Sequence, residues 1–105
     1  MKDEEKLEEQ LSELSERINQ NSNDKEAYYI RGFFYSILGR NEEALQDYSQ
    51  ALKIDPDYKE AYYNRGNLYR NLGKNEEALQ DYKKAIEIDP DCKDAYFMRG
   101  NLYSH

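Results

Sequence analysis

The side chains that most often carry catalysis are scarce in this sequence and far apart along it. His105 is the only histidine and Cys92 the only cysteine. A cysteine nucleophile needs a base within hydrogen-bond reach, and the last residue of a sequence is a poor position for that base. Cys92 aligns with Tyr58 in a repeated segment described below, which favours a neutral turn position. The sequence therefore predicts no catalytic pair, and a single thiol allows no intrachain disulfide.

The sequence also gives little support for a metal site or a phosphate-binding site. No set of cysteine, histidine and carboxylate residues has the spacing of a structural zinc site. The acidic pairs Glu42–Glu43 and Glu76–Glu77 could be hard-metal ligands, but they lie where helices are predicted to begin, and acidic residues there complement the helix dipole. Successive glycines are 7 or 27 residues apart rather than clustered as in a phosphate loop. We expect no metal, no cofactor and no enzymatic activity.

Three arginines recur at a fixed interval and carry the remaining candidate chemistry. Arg31, Arg65 and Arg99 form a series that could bind carboxylates or phosphates. The alternative is that each stem packs between helices while its guanidinium reaches solvent or a nearby acid. We favour the alternative, because a buried arginine is usually paired locally.

Charge and hydropathy limit the classes of partner. The net charge is -7, and residues 1–24 carry three basic and eight acidic side chains, whereas the remainder carries twelve and fourteen. An acidic chain is poorly suited to phosphate backbones or anionic membranes. No apolar run approaches the roughly 18 residues of a membrane span, and the first ten residues lack the regions of a signal peptide. We expect a soluble, cytoplasmic protein with no nucleic-acid or membrane partner.

An internal repeat determines how these residues are positioned. Residues 25–58 and 59–92 align without gaps at a period of 34, with 23 of the 34 positions identical. A third copy occupies residues 93–105 and stops after its first helix. Periodicity of this kind is typical of helical repeat arrays. Each repeat is predicted to contain two helices, at Lys25–Leu38 and Glu42–Ile54, then Lys59–Leu72 and Glu76–Ile88, then Lys93–Ser104.

Local signals mark the helix ends of each repeat. In the first repeat, Asn23 and Glu26 have the spacing of a capping box. Gly39 suits the left-handed position that ends a helix, Asn41 suits the N-cap of the second helix, and Pro56 ends that helix. The equivalent residues of the second repeat are Asp57, Glu60, Gly73, Asn75 and Pro90.

Glycines inside the first helices need a physical reason, because such a glycine costs about 0.5–1 kcal/mol relative to alanine. We infer that the paired helix approaches closely at Gly32 and Gly66. Small residues on one helix that face large aromatic residues on the other would let the two helices interlock, and the second helices carry Tyr48 and Tyr82. By the same reasoning, Gly66 faces the paired helix and the adjacent Asn67 faces an open groove.

These features resemble the tetratricopeptide repeat (TPR) family. The resemblance rests on the 34-residue period, the aromatic residue four before each glycine, the tyrosine three after it, and the spacing of Ala44, Tyr48, Ala51 and Pro56. It covers residues 23–105. It implies an all-α fold, a right-handed superhelix (TPR solenoid) of antiparallel helix pairs whose first helices line a concave groove. The sequence departs from the family in having tyrosine for the usual tryptophan and arginine, rather than leucine, before each glycine.

The resemblance also implies a function and a site. TPR arrays are protein-interaction scaffolds, and we expect this one to bind an extended peptide or an amphipathic helix with apolar anchors. Some members clamp a chaperone carboxylate with basic side chains, but those positions hold Tyr29, Asp94 and Met98, so chaperone binding is not predicted. The groove residues implied by position are Tyr29, Ile30, Phe33, Tyr63, Asn64, Asn67, Arg70, Phe97, Met98 and Asn101.

The segment before the repeats has a different pattern. Leu7, Leu11, Leu14 and Ile18 form one apolar stripe of a helix from about Asp3 to Gln20. We interpret residues 1–22 as an acidic amphipathic helix that caps the array. The alternative is a coiled-coil seam, but the stripe is shorter than the three or four heptads that such a seam needs.

The last helix of the sequence suggests a second function. It keeps Tyr96, Gly100 and Tyr103, the face that the earlier first helices bury against a second helix, and terminal repeats usually have a polar outer face. Either the sequence was taken from a longer array or another molecule covers this face. The alternative function is therefore a self-associating structural or engineered building block that forms a homo-oligomer through this half repeat.

Overall fold

The computed structural model describes residues 2–91, and residue 1 and residues 92–105 lie outside the described part. Within it the chain is all α-helix, with no strand, which confirms the predicted fold class. The predicted helix of the third repeat is outside these residues. The chain divides into two compact units, one containing α1 to α3 and the other α4 and α5. The helices are α1 Lys2–Gln20, α2 Lys25–Ile37, α3 Asn41–Ile54, α4 Lys59–Asn71 and α5 Asn75–Ile88.

The second helix of each repeat begins directly after a glycine turn. Gly39 and Gly73 have φ angles of 77° and 79°, which is the left-handed conformation predicted for them. The next residues, Arg40 and Lys74, are the N-caps, and neither makes a side-chain capping bond. The prediction of Asn41 and Asn75 as N-caps is therefore wrong by one residue, because a single residue after the glycine is enough to enter the helix.

The first helices differ in how they begin. Asp24, not Asn23, is the N-cap of α2, and its side chain accepts a bond of 3.1 Å from the backbone N–H of Ala27. The N-cap of α4 is Tyr58, which makes no side-chain capping bond. The predicted capping boxes were thus placed one residue early. The two repeats differ here because a carboxylate can reach back to the helix N–H groups and a phenol cannot.

The two helices of each repeat run antiparallel and interlock at a glycine. A Cβ atom on Gly32 would lie 3.1 Å from the Tyr48 ring, and one on Gly66 would lie 2.8 Å from Cε1 of Tyr82. Both rings are buried, so the space left by each missing side chain is filled by an aromatic ring. This confirms the close approach predicted from the glycines inside these helices.

An ion pair ties the start of the first helix to the end of the second in each repeat. The Lys25 Nζ atom lies 2.5 Å from Oδ2 of Asp55, and the Lys59 Nζ atom lies 2.8 Å from Oδ2 of Asp89. Both pairs are partly exposed, so each contributes modestly to stability. Their identical spacing shows that the repeat in sequence is also a repeat in side-chain contacts.

The N-terminal helix lies against α2. Leu14 and Ile18 of α1 form a buried cluster with Ala27 of α2. The Ser15 hydroxyl accepts a bond of 3.1 Å from Arg31, and the apolar stripe that would form a coiled-coil seam is buried within the single chain at Leu11, Leu14 and Ile18. Dimerisation through this stripe would therefore require α1 to leave α2.

Candidate functional site

The arginine of each first helix is paired with an aspartate of the second helix. Arg31 donates from Nε to Oδ2 of Asp47 at 2.7 Å and from Nη2 to Oδ1 at 2.8 Å. Arg65 makes the same two bonds to Asp81, at 2.8 and 2.7 Å. Two parallel bonds of this kind are the strongest geometry available to a guanidinium and a carboxylate. The interpretation of these arginines as locally paired is confirmed, and Arg99 lies outside the described residues.

Tyrosines flank each guanidinium. The Arg31 guanidinium carbon lies 5.7 Å from the ring centres of both Tyr28 and Tyr35, and Arg65 has the same relation to Tyr62 and Tyr69, again at 5.7 Å. Cations at this distance are attracted to the ring faces. The tyrosines that lie four residues before and three residues after each first-helix glycine thus flank the arginine that precedes the glycine. These contacts explain why an arginine can replace an apolar residue at this position.

The aspartate partners were missed by sequence reasoning. Asp47 and Asp81 are among the most buried polar residues of the described chain. Burial raises the pKa of the Asp81 carboxyl, and the hydrogen bonds and charge of Arg65 oppose that rise. The available signal was an acid placed one residue before a buried tyrosine, 16 residues after the arginine, in both repeats.

The predicted groove tyrosines are not free of the helix pair. The rings of Tyr29 and Tyr48 are 6.0 Å apart at 43°, and those of Tyr63 and Tyr82 are 6.0 Å apart at 50°. Tyr63 also packs against the buried cluster of Ala85 and Ile86. These two predicted groove positions therefore also take part in helix pairing, since each ring contacts the second helix of its own repeat.

Two of the asparagines of α4, both predicted to lie in the groove, make hydrogen bonds. Asn67 is half-buried, and its Oδ1 atom accepts a bond of 2.5 Å from the Tyr82 hydroxyl. Asn64 donates from Nδ2 to the Glu60 carbonyl at 2.9 Å. The prediction that Gly66 faces the paired helix holds, but Asn67 is bonded to the same helix instead of facing only open solvent.

On α2, the first helix of the first repeat, two apolar side chains are exposed. Phe33 is 41% exposed and Ile37, one turn later on α2, is 55% exposed. Ile30, another predicted groove residue, packs against the cluster that joins α1 to α2. Ile37 was not predicted, although its position four residues after Phe33 was the available signal. The corresponding residues of α4 are Asn67 and Asn71.

The remaining predicted site residues divide into two groups. Arg70 is half-buried, and its positive charge acts on the Tyr82 phenol. The others lie outside the described residues, so their predicted roles in ligand binding and self-association stay predictions: Phe97, Met98, Asn101, Tyr96, Gly100 and Tyr103.

The described part of the chain has neither a metal site nor a membrane-spanning helix. Residues 2–91 contain no group of histidine, cysteine and acidic side chains arranged to hold a metal ion. Within the same range, no helix combines the length and the hydropathy required to cross a bilayer.

Burial of the interlocking tyrosines predicts a loss of stability at alkaline pH. It raises the pKa of the Tyr48 and Tyr82 phenols to about 12. The unfolded chain releases these protons near pH 10, so their contribution is complete below about pH 10 and is lost as the pH rises towards about 12. Urea midpoints measured from pH 8 upward should fall above about pH 10. The fall should be smaller in the Tyr48→Phe, Tyr82→Phe double variant, and an identical fall would contradict the assignment.

Comparisons with known proteins identify the repeat. A profile described as Tetratricopeptide repeat matches residues 60–92, and one described as TPR repeat matches residues 35–73. Together they cover more than half of the chain. No curated protein matches the sequence.

Solved structures share the fold. MamA has a TM-score of 0.86 and 28% identity over 90% of this chain and 55% of its own. The TPR domain of Arabidopsis OM64 has a TM-score of 0.89 and 25% identity, covering 98% and 85%. YrrB, described as a TPR protein with an unusual peptide-binding site, has a TM-score of 0.84 and 31% identity, covering 91% and 50%. The chain thus spans about half the length of MamA and of YrrB. With its matching repeats, glycine interlocks and all-helical fold, the chain belongs to the tetratricopeptide repeat family.

Proposed function

We propose that the chain is a non-enzymatic protein-interaction module that binds a peptide segment or helix of another protein. Each repeat offers candidate binding side chains on its own first helix, and we call each of these two surfaces the first-helix face of its repeat: Tyr29, Phe33 and Ile37 on α2, and Tyr63, Asn64, Asn67 and Arg70 on α4. The observation that carries the proposal is the exposure of Phe33 and Ile37, at 41% and 55%.

Exposed apolar side chains one turn apart support this function. Scattered single apolar residues on a surface need no explanation, but contiguous ones often mark interaction sites. The partly exposed ring of Tyr29 precedes Phe33 by one turn and extends the apolar stripe along α2. The first-helix face of the first repeat thus offers a ligand apolar side chains, and that of the second repeat offers hydrogen-bonding groups. YrrB, a structurally similar protein, is described as having an unusual peptide-binding site, which supports the proposal.

A selection of random displayed peptides on the full chain tests the proposal. The variant Phe33→Asn, Ile37→Asn gives α2 the residues that α4 carries at the same positions. We expect selected peptides to bind it at least about tenfold more weakly, because losing two apolar contacts costs more than about 1.4 kcal/mol. Fluorescence anisotropy of a labelled peptide measures the affinity.

The matched control is Leu72→Asn, which removes an apolar side chain that is 39% exposed and lies outside the first-helix face. It should leave the affinity within about twofold, and circular dichroism should show all variants folded. Equal losses from Leu72→Asn and from the double variant would mean that general surface hydropathy, not this face, holds the ligand.

A further inference from the structure

Helix α1 repeats the sequence pattern of the second helices. A shift of 34 residues aligns α1 with α3 and pairs three large residues and one serine of the two helices: Leu11 with Leu45, Leu14 with Tyr48, Ile18 with Leu52, and Ser15 with Ser49. Under the same shift, α1 and α3 end at equivalent residues, and α2 and α4 begin at equivalent residues. Helix α1 therefore has the register of a second helix placed before the first repeat.

In α3 and α5, one face packs against the first helix of the same repeat. The residues of that face are almost fully buried in both repeats: Ala44, Asp47, Tyr48 and Ala51 on α3, and Ala78, Asp81, Tyr82 and Ala85 on α5. Space is tight at the first alanine, because a Cβ atom on Gly32 would lie 3.2 Å from the backbone oxygen of Ala44. Packing of a first helix on this face therefore needs small side chains at the alanine positions.

The equivalent face of α1 carries long polar side chains at both alanine positions. Gln10 stands at the position of Ala44, and Arg17 stands at the position of Ala51. Both side chains are exposed. The aspartate position of the same face keeps an acidic residue, Glu13. The two alanine positions therefore distinguish this face of α1 from the faces that pack against a first helix.

Arg17 is held in place by a contact at the start of α2. Its Nε and Nη2 atoms donate to Oδ2 of Asp24, at 3.2 and 3.0 Å. Asp24 is itself fixed, because it is the N-cap of α2 and its Oδ1 atom accepts from the backbone N–H of Ala27 at 3.1 Å. A helix that packed on this part of α1 would have to displace Arg17 and break its bonds to Asp24.

We infer that Gln10 and Arg17 determine which helices α1 accepts: they leave α1 free to pack on α2, and they prevent a first helix of a second copy from packing on its other face. The interfaces of a repeat array are alike, so its copies readily exchange helices or join head to tail. A long side chain at each alanine position opposes this, because it overpacks the contact with an incoming helix.

The partner that is kept off α1 is the segment of residues 93–104 of a second copy. This segment has the residue types with which the other first helices pair: Tyr96, Arg99, Gly100 and Tyr103. Arg99 suits the acid Glu13 on α1, as the first-helix arginine of each described repeat suits the aspartate of its second helix. Without the two long side chains, α1 would therefore offer a docking face for this segment.

Sedimentation velocity of the full chain over a range of concentrations tests the inference. The variant Gln10→Ala, Arg17→Ala should self-associate at least about tenfold more tightly than the unmodified chain, because two overpacked contacts are relieved. Adding Arg99→Glu to this variant should remove the gain, and adding Glu13→Arg as well should restore it. Circular dichroism should show every variant folded.

The matched control is Asp24→Asn, which removes the charge that Arg17 contacts but keeps both long side chains and a residue type suited to the N-cap. It should self-associate no more tightly than the unmodified chain. The inference is overturned if the alanine variant shows no gain, if Asp24→Asn shows an equal gain, or if Arg99→Glu leaves the gain intact. No ligand takes part in the measurement, so its outcome is independent of the proposed function.

Discussion

Replacing Asp81 with leucine is expected to lower the free energy of unfolding by about 3 kcal/mol. The variant leaves the Arg65 guanidinium without the carboxylate that it contacts through two bonds. Removing one partner of a buried pair costs about 3–5 kcal/mol. The lower end applies because 19% of the Arg65 side chain is exposed and the flanking rings of Tyr62 and Tyr69 still contact it. Urea unfolding followed by circular dichroism measures the loss.

The double variant Arg65→Met, Asp81→Leu tests the cause of that loss. Replacing both members of a buried pair with apolar residues is often close to neutral, so the double variant should recover most of the stability lost by Asp81→Leu. Asp47→Leu repeats the experiment in the first repeat, where Arg31 has the same bonds. If the double variant were as unstable as the single one, packing at the aspartate position, and not the loss of the carboxylate that Arg65 contacts, would be the source of the lower stability.

Replacing Gly66 with leucine is the second large expected effect, a loss of about 3 kcal/mol. Overpacking a filled contact costs typically about 1–3 kcal/mol and occasionally more. Here the first added carbon would already lie 2.8 Å from Cε1 of Tyr82 and 3.3 Å from Cβ of Asp81. The upper end of the range therefore applies, and the urea midpoint should fall accordingly.

The adjacent variant Asn67→Leu is the control for position on the helix. It removes the acceptor of the Tyr82 hydroxyl, which costs about 1 kcal/mol, whereas Gly66→Leu forces carbon atoms against the Tyr82 ring. Gly66→Leu should therefore destabilise clearly more than Asn67→Leu, with a smaller gap than a fully exposed Asn67 would give. Equal losses would mean that the interlock between α4 and α5 tolerates a side chain at this position.

The sequence predicts the helices well because the repeat supplies two copies of each signal. Every described helix begins and ends within one residue of its predicted bounds, and both glycines predicted to end helices have positive φ. The caps were harder to predict. Asn41 and Asn75 have a residue type that is favoured at N-caps, but the short turn places Arg40 and Lys74 there instead. The preference of a residue type for N-caps does not reveal how many residues the preceding turn contains.

The site was predictable only in part, for a physical reason. Residue types predicted that each arginine would be paired, but α3 offers several acids, and only the helix-to-helix geometry selects Asp47. The same limit applies to Tyr29 and Asn67, whose positions on the first helices were assigned by resemblance. Their contacts with Tyr48 and Tyr82 depend on distances across the helix pair, which a periodic pattern does not contain.

The most direct test of the proposed interaction function is a chemical-shift map of a selected peptide on the 15N-labelled full chain. We expect the perturbed backbone amides to concentrate between residues 29 and 37 of α2 and between residues 63 and 70 of α4, and the side-chain amide of Asn67 to shift as well. Perturbations confined to the exposed surface of α1, or to exposed positions such as Gln46 of α3 and Lys84 of α5, would contradict it and place binding elsewhere on the chain.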